Sequence, residues 1–168
     1  MSVSVAETDT RAGVGDPFPA ARRVRAAPPW PVLGVVSAGG VLGALARYGL
    51  GVAYPHPAAG FPWVTFAVNV SGCLLIGVLM VLITDVWSGH RLLRTFLGTG
   101  MLGGYTTFST YIVDGQHLLA AGAARTALAY LGGTLLAALV AVQAGVTLTR
   151  LALRTGRHLI DRRRLEGS

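Results

Sequence analysis

The stretch from Gly98 to Tyr111 concentrates the residue types that can bind an ion. It reads GTGMLGGYTTFSTY, with four glycines and five serines or threonines inside an otherwise apolar run. Glycine and hydroxyl side chains both weaken an α-helix. An unwound backbone at membrane depth is tolerated only where it is buried in protein or lines a cavity, and its freed carbonyls and amides can face ions. The pattern predicts either a helix break that binds or conducts an ion, or a glycine-rich kink that serves helix packing.

Four further polar residues lie within apolar runs. Asn69 is near the middle of one run, and its amide can donate to an anion or to a neighbouring helix. Tyr130 and Thr134 are four residues apart, so on a helix they share a face that lines a pore or bonds another helix. Arg47 lies about one turn from the end of its run. Its charge either reaches the membrane surface or draws anions to a vestibule.

Four apolar stretches must position these residues. Each is near or above the ~20 residues that a helix needs to cross ~30 Å of hydrocarbon, and they cover residues 31–50, 62–84, 92–113 and 121–148. The runs lack the polar faces of a soluble helical bundle. In the first run, Gly39 and Gly43 form a small-residue face that lets another helix approach closely. We therefore expect an all-α membrane protein with four transmembrane helices, the third of them broken.

Composition and charge agree with a membrane protein. Hydrophobic residues make up 52% of the chain and charged residues 12%, whereas soluble domains carry about 25% charged residues. The net charge is +7, and every basic residue is an arginine. Because no aromatic residues alternate with these arginines, the charge indicates contact with lipid and no nucleic-acid partner. We predict a disordered N-terminal segment at 1–29, a transmembrane domain at 30–149 and a basic cytoplasmic tail at 150–168.

The distribution of arginines predicts the orientation of the chain. An even number of spans puts both termini on one side, and that side also carries Arg91 and Arg94 of the second connection. The opposite side has only Arg125 near its second connection and Arg47 inside the end of the first helix. The positive-inside rule therefore predicts a multi-pass protein of the cell membrane with both termini in the cytoplasm.

Enzymatic chemistry is not expected from this sequence. The chain has no P-loop, no paired nucleophile and base, no cluster of metal-ligating side chains, and a single cysteine, Cys73. Asp85 and Asp114 fall at the ends of predicted spans, so no span is expected to hold an interior carboxylate. A proton-coupled exporter normally needs such a carboxylate. Its absence would weigh against a small four-helix multidrug or cation exporter, which is the alternative to an ion channel.

Four motifs together resemble the Fluc/CrcB family of bacterial fluoride channels. They are GGVLGALARY at 39–48, NVSG at 69–72, GGYTTFST at 103–110, and the pair Tyr130 and Thr134. The resemblance covers residues 31–148 in order, and the third motif is highly specific. It implies a fluoride-specific ion channel that exports cytoplasmic fluoride passively and so lowers its toxic concentration.

The resemblance also implies roles for individual residues. It implies an antiparallel dimer with two pores and a structural sodium ion that is not transported, held by the backbone carbonyls of Gly103 and Thr106. Arg47 would lie at the vestibule. Ring edges, an amide and hydroxyl groups would line the fluoride pore: Asn69, Thr107, Phe108, Ser109, Tyr111, Tyr130 and Thr134. Tyr111 stands where the family usually has phenylalanine.

The arginine bias bears on the partner in this dimer. A chain that inserts in both orientations to form its own antiparallel dimer should show little arginine asymmetry, and this chain is strongly asymmetric. The sequence therefore favours one fixed orientation and a dimer with an oppositely oriented paralogue. A further alternative is a non-conducting subunit whose partner supplies the better pore.

Overall fold

The computed structural model describes residues 30–57, 59–86 and 91–166. Every regular element in these residues is a helix, which confirms the all-α prediction. In chain order they are α1 (Trp30–Ala53), α2 (Trp63–Asp85), α3 (Arg91–Thr95), a π-helix (Phe96–Leu102), α4 (Gly103–Tyr105), α5 (Phe108–Ala120) and α6 (Ala124–Glu166). The predicted disordered segment at 1–29 lies outside the described residues.

Three of the described helices are long and apolar enough to cross a membrane. They are Trp30–Ala53, Trp63–Asp85 and the part of α6 at Ala124–Gly156, and they correspond to the first, second and fourth predicted spans. The third predicted stretch, 92–113, is not a single helix, because the backbone at Thr106 and Thr107 is extended. Residues 91–120, here called the third segment, therefore consist of several short helices joined in line.

Glycines let α1 pack directly on the backbone of the third segment. A methyl group added at Gly39 would lie 2.6 Å from the Phe96 carbonyl oxygen and 2.9 Å from the Met101 amide nitrogen. One added at Gly43 would lie 2.7 Å from the amide nitrogen of Tyr105. These distances are too short for any side chain, so the two helices meet backbone to backbone, as small residues allow in membranes.

The second close pair of helices is α2 and α6. A methyl group at Gly77 would meet the Val142 carbonyl oxygen, and one at Gly145 would meet the Leu74 carbonyl oxygen. Each helix thus presents a glycine to the backbone of the other. This reciprocal contact sets how closely α6 approaches the helix that carries Asn69.

Asp114 lies inside a helix, and its predicted place at the end of the third span is wrong. Helix α5 starts again at Phe108 and continues to Ala120, so the connection to α6 is only residues 121–123, with Gly122 at a φ of +74°. Asp114 is 9% exposed. Hydropathy placed the span end too early because Asp114, Gln116 and His117 end the apolar run, although the helix continues through them.

Helix α6 is far longer than a membrane crossing requires. Its 43 residues span about 65 Å at about 1.5 Å per residue, against ~30 Å of hydrocarbon. The apolar stretch predicted at 121–148 begins three residues later than expected, and the helix continues through the predicted basic tail as far as Glu166. Residues beyond Leu148 therefore extend the bundle past one membrane surface.

Candidate ion pathway

The break in the third segment consists of two residues with extended backbone. Thr106 has φ −74° and ψ 157°, and Thr107 has φ −149° and ψ 125°. Helix α5 then begins at Phe108 with Thr107 as its N-cap, since the Thr107 hydroxyl accepts a hydrogen bond from the Thr110 amide at 3.2 Å. Threonine suits this position because its side-chain oxygen satisfies an amide that has no partner within the helix.

Asn69 of α2 holds the break through both backbone groups of one residue. Its Nδ2 donates to the Thr107 carbonyl oxygen at 2.9 Å, and its Oδ1 accepts from the Thr107 amide at 2.8 Å. On the other side, the Arg47 Nε donates to the Gly104 carbonyl oxygen at 3.3 Å. A break at membrane depth frees polar backbone groups, and these two side chains compensate for part of that loss.

Two backbone carbonyls at the break lose their helical donors. The Gly103 carbonyl would normally accept from the Thr107 amide, which instead donates to Asn69. The Thr106 carbonyl would normally accept from the Thr110 amide, which instead donates to the Thr107 hydroxyl. Among the described residues, neither carbonyl accepts a hydrogen bond from a backbone amide. Uncharged carbonyl oxygens of this kind suit a hard cation such as Na⁺, so the donor set fits the sodium ion that the family resemblance implies.

An open groove of about 560 Å³ runs beside the break. Its walls are mostly apolar. They include these residues singled out from the sequence: Asn69, Gly103, Thr106, Thr107, Phe108, Tyr111 and Thr134. The Phe108 ring is 76% exposed. The fold thus brings residues from α2, the third segment and α6 to one surface.

The Tyr111 hydroxyl forms a hydrogen bond within the protein. It donates to the Leu131 carbonyl oxygen of α6 at 2.7 Å. The ring centroid lies 5.8 Å from that of Phe108 and 5.4 Å from that of Tyr130. Tyr111 therefore contributes a ring to the groove wall, while its hydroxyl ties α5 to α6.

Two pore residues expected from the sequence do not line the groove. Tyr130 is fully buried in an aromatic cluster, and its hydroxyl has no hydrogen-bond partner among the described residues. Ser109 is exposed near the Thr107 hydroxyl, 3.3 Å away. Thr134 does line the groove, but its hydroxyl donates to the Tyr130 carbonyl of its own helix at 2.6 Å, which leaves only oxygen lone pairs towards the groove.

A second cavity of about 250 Å³ lies on the other side of the break. Its polar lining consists mainly of Arg47, Thr65, Thr107, Thr110 and Asp114. Thr107 lines both this cavity and the groove, so this residue of the break borders both spaces.

Thr65, Thr110 and Asp114 were missed as site residues. The Thr65 hydroxyl donates to Asp114 Oδ2 at 2.6 Å, and both residues are buried. The presence of Thr65 within an apolar run was the available signal for this pair. The position of Asp114 became informative only once the bounds of α5 were known.

The fold and this site define a class of protein, the multi-pass helical membrane proteins with a polar break beside an open groove. The family model described as CrcB-like protein, Camphor Resistance (CrcB), matches residues 34–146. The chain belongs to the CrcB family, and the resemblance drawn from its motifs is confirmed.

Several relatives are similar over most of their length. A protein of Streptomyces avermitilis named fluoride-specific ion channel FluC 2 is 53% identical over 135 residues, which cover 80% of this chain and 85% of the relative. FluC 1 of Streptomyces coelicolor is 55% identical over 124 residues, covering 74% and 80%. Streptomyces avermitilis also has a FluC 3, which is 45% identical over 122 residues, covering 73% and 60%.

Proposed function

We propose that this chain is a fluoride-specific ion channel of the cell membrane that carries cytoplasmic fluoride out passively. The observation that carries the proposal is the groove beside the break, where Asn69, Thr107 and the exposed ring of Phe108 come together. Fluoride is small and strongly hydrated, so a narrow pore must replace its water with close donors. Amide and hydroxyl groups do so, and the edge of an aromatic ring is electropositive.

The route of the ion follows from the two spaces on either side of Thr107. Arg47 places a positive charge on the lining of the smaller cavity, and Phe108 lies in the groove. Fluoride leaving the cytoplasm would move along the Phe108 ring, pass the hydroxyls at Thr107 and reach the smaller cavity, where the charge of Arg47 attracts anions. Asn69 has a dual role in this route, because one of its amide hydrogens holds Thr107 and the second remains for the ion.

A second subunit is needed to complete the pore. The groove exposes backbone and hydroxyls at Thr106 and Thr107, and lipid does not tolerate irregular backbone on a surface that faces it. We propose that an antiparallel partner covers the groove and creates a pathway on each side of the dimer. The arginine asymmetry supports a cytoplasmic location for both termini of this chain and favours an oppositely oriented paralogue. Streptomyces avermitilis, with two relatives of this chain, offers a precedent for paralogues in one organism.

The carbonyls of Gly103 and Thr106 would hold a structural sodium ion in this dimer. Each chain contributes two carbonyl oxygens that accept no backbone hydrogen bond from the described residues, so two chains supply four. A bound sodium ion would neutralise the electron-rich ends of the broken helices and join the two subunits. It has no part in moving fluoride.

The burial of Asp114 is the one observation that favours the alternative function, a proton-coupled exporter. Asp114 is a buried carboxylate within a helix, the feature such exporters use. Its Oδ2 already accepts a hydrogen bond from Thr65, as expected of a carboxylate held in place within a packed structure. Membership of the CrcB family favours the channel over the exporter.

Fluoride efflux from liposomes, followed with a fluoride electrode, tests the proposal. The chain is reconstituted alone and with its oppositely oriented paralogue, in liposomes that hold potassium fluoride and potassium chloride, with a potassium ionophore to dissipate the membrane potential. A channel empties the liposomes of fluoride without proton exchange and leaves chloride inside. Efflux only when the paralogue is present supports the mixed dimer. Exchange of protons for an organic cation without fluoride efflux would establish the exporter instead.

A further inference from the structure

Two arginines and an aspartate share a small cavity at one end of the bundle. The cavity has a volume of about 310 Å³ and is lined by Asp85, Arg150, Leu153 and Arg154. Asp85 is the last residue of α2, so the cavity lies at the level where this apolar span leaves the hydrocarbon. This cavity shares no lining residue with the groove beside the break, which is the proposed fluoride pathway.

The arginines lie on one face of α6. Arg150 and Arg154 are four residues apart, which places their side chains one above the other on a helix, and both are exposed. Residues 124–149 already suffice to cross ~30 Å of hydrocarbon at about 1.5 Å per residue. The two guanidinium groups therefore stand at the boundary between lipid and water.

We propose that this cavity binds the headgroup of an anionic phospholipid. Arginine forms paired hydrogen bonds with phosphate oxygens, and two arginines outnumber the single carboxylate of Asp85. The resulting charge of about +1 complements a lipid with one net negative charge, whereas the cationic amine of a zwitterionic lipid would cancel that attraction. Leu153 completes the lining between the two arginines with an apolar side chain. The bound lipid would fix this end of α6 to one leaflet.

The test is the thermal stability of the purified full-length protein in detergent as lipid is added. Phosphatidylglycerol should raise the unfolding temperature in a saturable manner, and phosphatidylcholine should not. Each arginine near an anionic surface contributes about a five-fold factor in affinity. Replacing both, as R150Q with R154Q, should therefore weaken the apparent affinity for phosphatidylglycerol about 25-fold. R125Q, which removes an exposed arginine at the opposite end of α6, is the matched control and should leave the affinity unchanged.

A variant that should strengthen lipid binding complements the double mutant, because misfolding could explain a loss of affinity but not a gain. Asp85→Asn removes the opposing charge and should tighten phosphatidylglycerol binding about five-fold. Equal loss of affinity in R125Q would overturn the proposal, because any basic residue would then serve. Equal stabilisation by phosphatidylcholine, or by soluble glycerol phosphate alone, would also overturn it. Fluoride efflux is not the readout, so the outcome is independent of the proposed channel activity.

Discussion

Replacing Gly43 with alanine tests how α1 supports the broken segment. The added methyl group would lie 2.7 Å from the Tyr105 amide nitrogen and closer still to the Met101 carbonyl oxygen. Ordinary carbon contacts begin near 3.4 Å, so α1 must move away by at least about 0.7 Å. Both opposing atoms belong to the backbone, which cannot yield as a side chain does. The movement would separate α1 from the segment that leads into the break.

The magnitude follows from two opposing effects. Overpacking costs about 1 to 3 kcal/mol where neighbours can adjust, and the upper end applies to a rigid backbone contact. Alanine favours a helix over glycine by about 1 kcal/mol, which leaves a net loss of about 2 kcal/mol. Gly49 of the same helix has no atom within 4 Å of an added methyl group. Gly49→Ala should therefore gain about 1 kcal/mol, so the two variants should differ by about 3 kcal/mol.

Thermal unfolding of the two purified variants measures this difference. At roughly 2 to 4 °C per kcal/mol for a chain of this size, Gly43→Ala should unfold roughly 6 to 12 °C below Gly49→Ala. Its fluoride efflux should fall as well, because Arg47 is carried by the displaced helix and would lose its bond to Gly104. Equal unfolding temperatures for the two variants would refute the backbone contact between α1 and the third segment.

Two hydrogen bonds give further predictions. Tyr111→Phe removes the bond to the Leu131 carbonyl and should cost about 0.5 to 1.5 kcal/mol of stability, yet preserve fluoride efflux because the ring stays in the groove; loss of efflux at wild-type stability would show that the hydroxyl serves the ion. Thr65→Val leaves the Asp114 carboxylate without its buried donor and should cost about 1 to 3 kcal/mol in thermal unfolding. Thr65→Ser keeps the donor and should be close to wild type, so equal losses in the two variants would contradict the role of that bond.

The sequence was most informative where local chemistry is unusual. Glycines and threonines at 103–107 predicted a special backbone, and extended residues occur at Thr106 and Thr107. The spacing of Gly39 and Gly43 predicted a close helix contact, and both face the third segment. These features are local, since they depend on residues whose backbone preferences differ from those of the rest of a helix.

Features that depend on tertiary contacts could not be predicted. The burial of Asp114 depends on where α5 starts and on Thr65, which is 49 residues away in sequence. Nothing in the sequence around Arg47 indicates that its side chain donates a hydrogen bond to the Gly104 carbonyl. The length of α6 was also missed, because hydropathy detects the apolar part of a helix and not a polar continuation.

Fluoride efflux from liposomes containing Phe108→Ile measures whether the groove beside the break carries the ion. The variant removes an exposed ring edge, and its matched control, Leu136→Ile, changes an α6 side chain that is 65% exposed and does not line the groove. With both variants assembled as in wild type, Phe108→Ile should abolish fluoride efflux and the control should retain it. Undiminished efflux through Phe108→Ile would show that the ion does not pass along the groove.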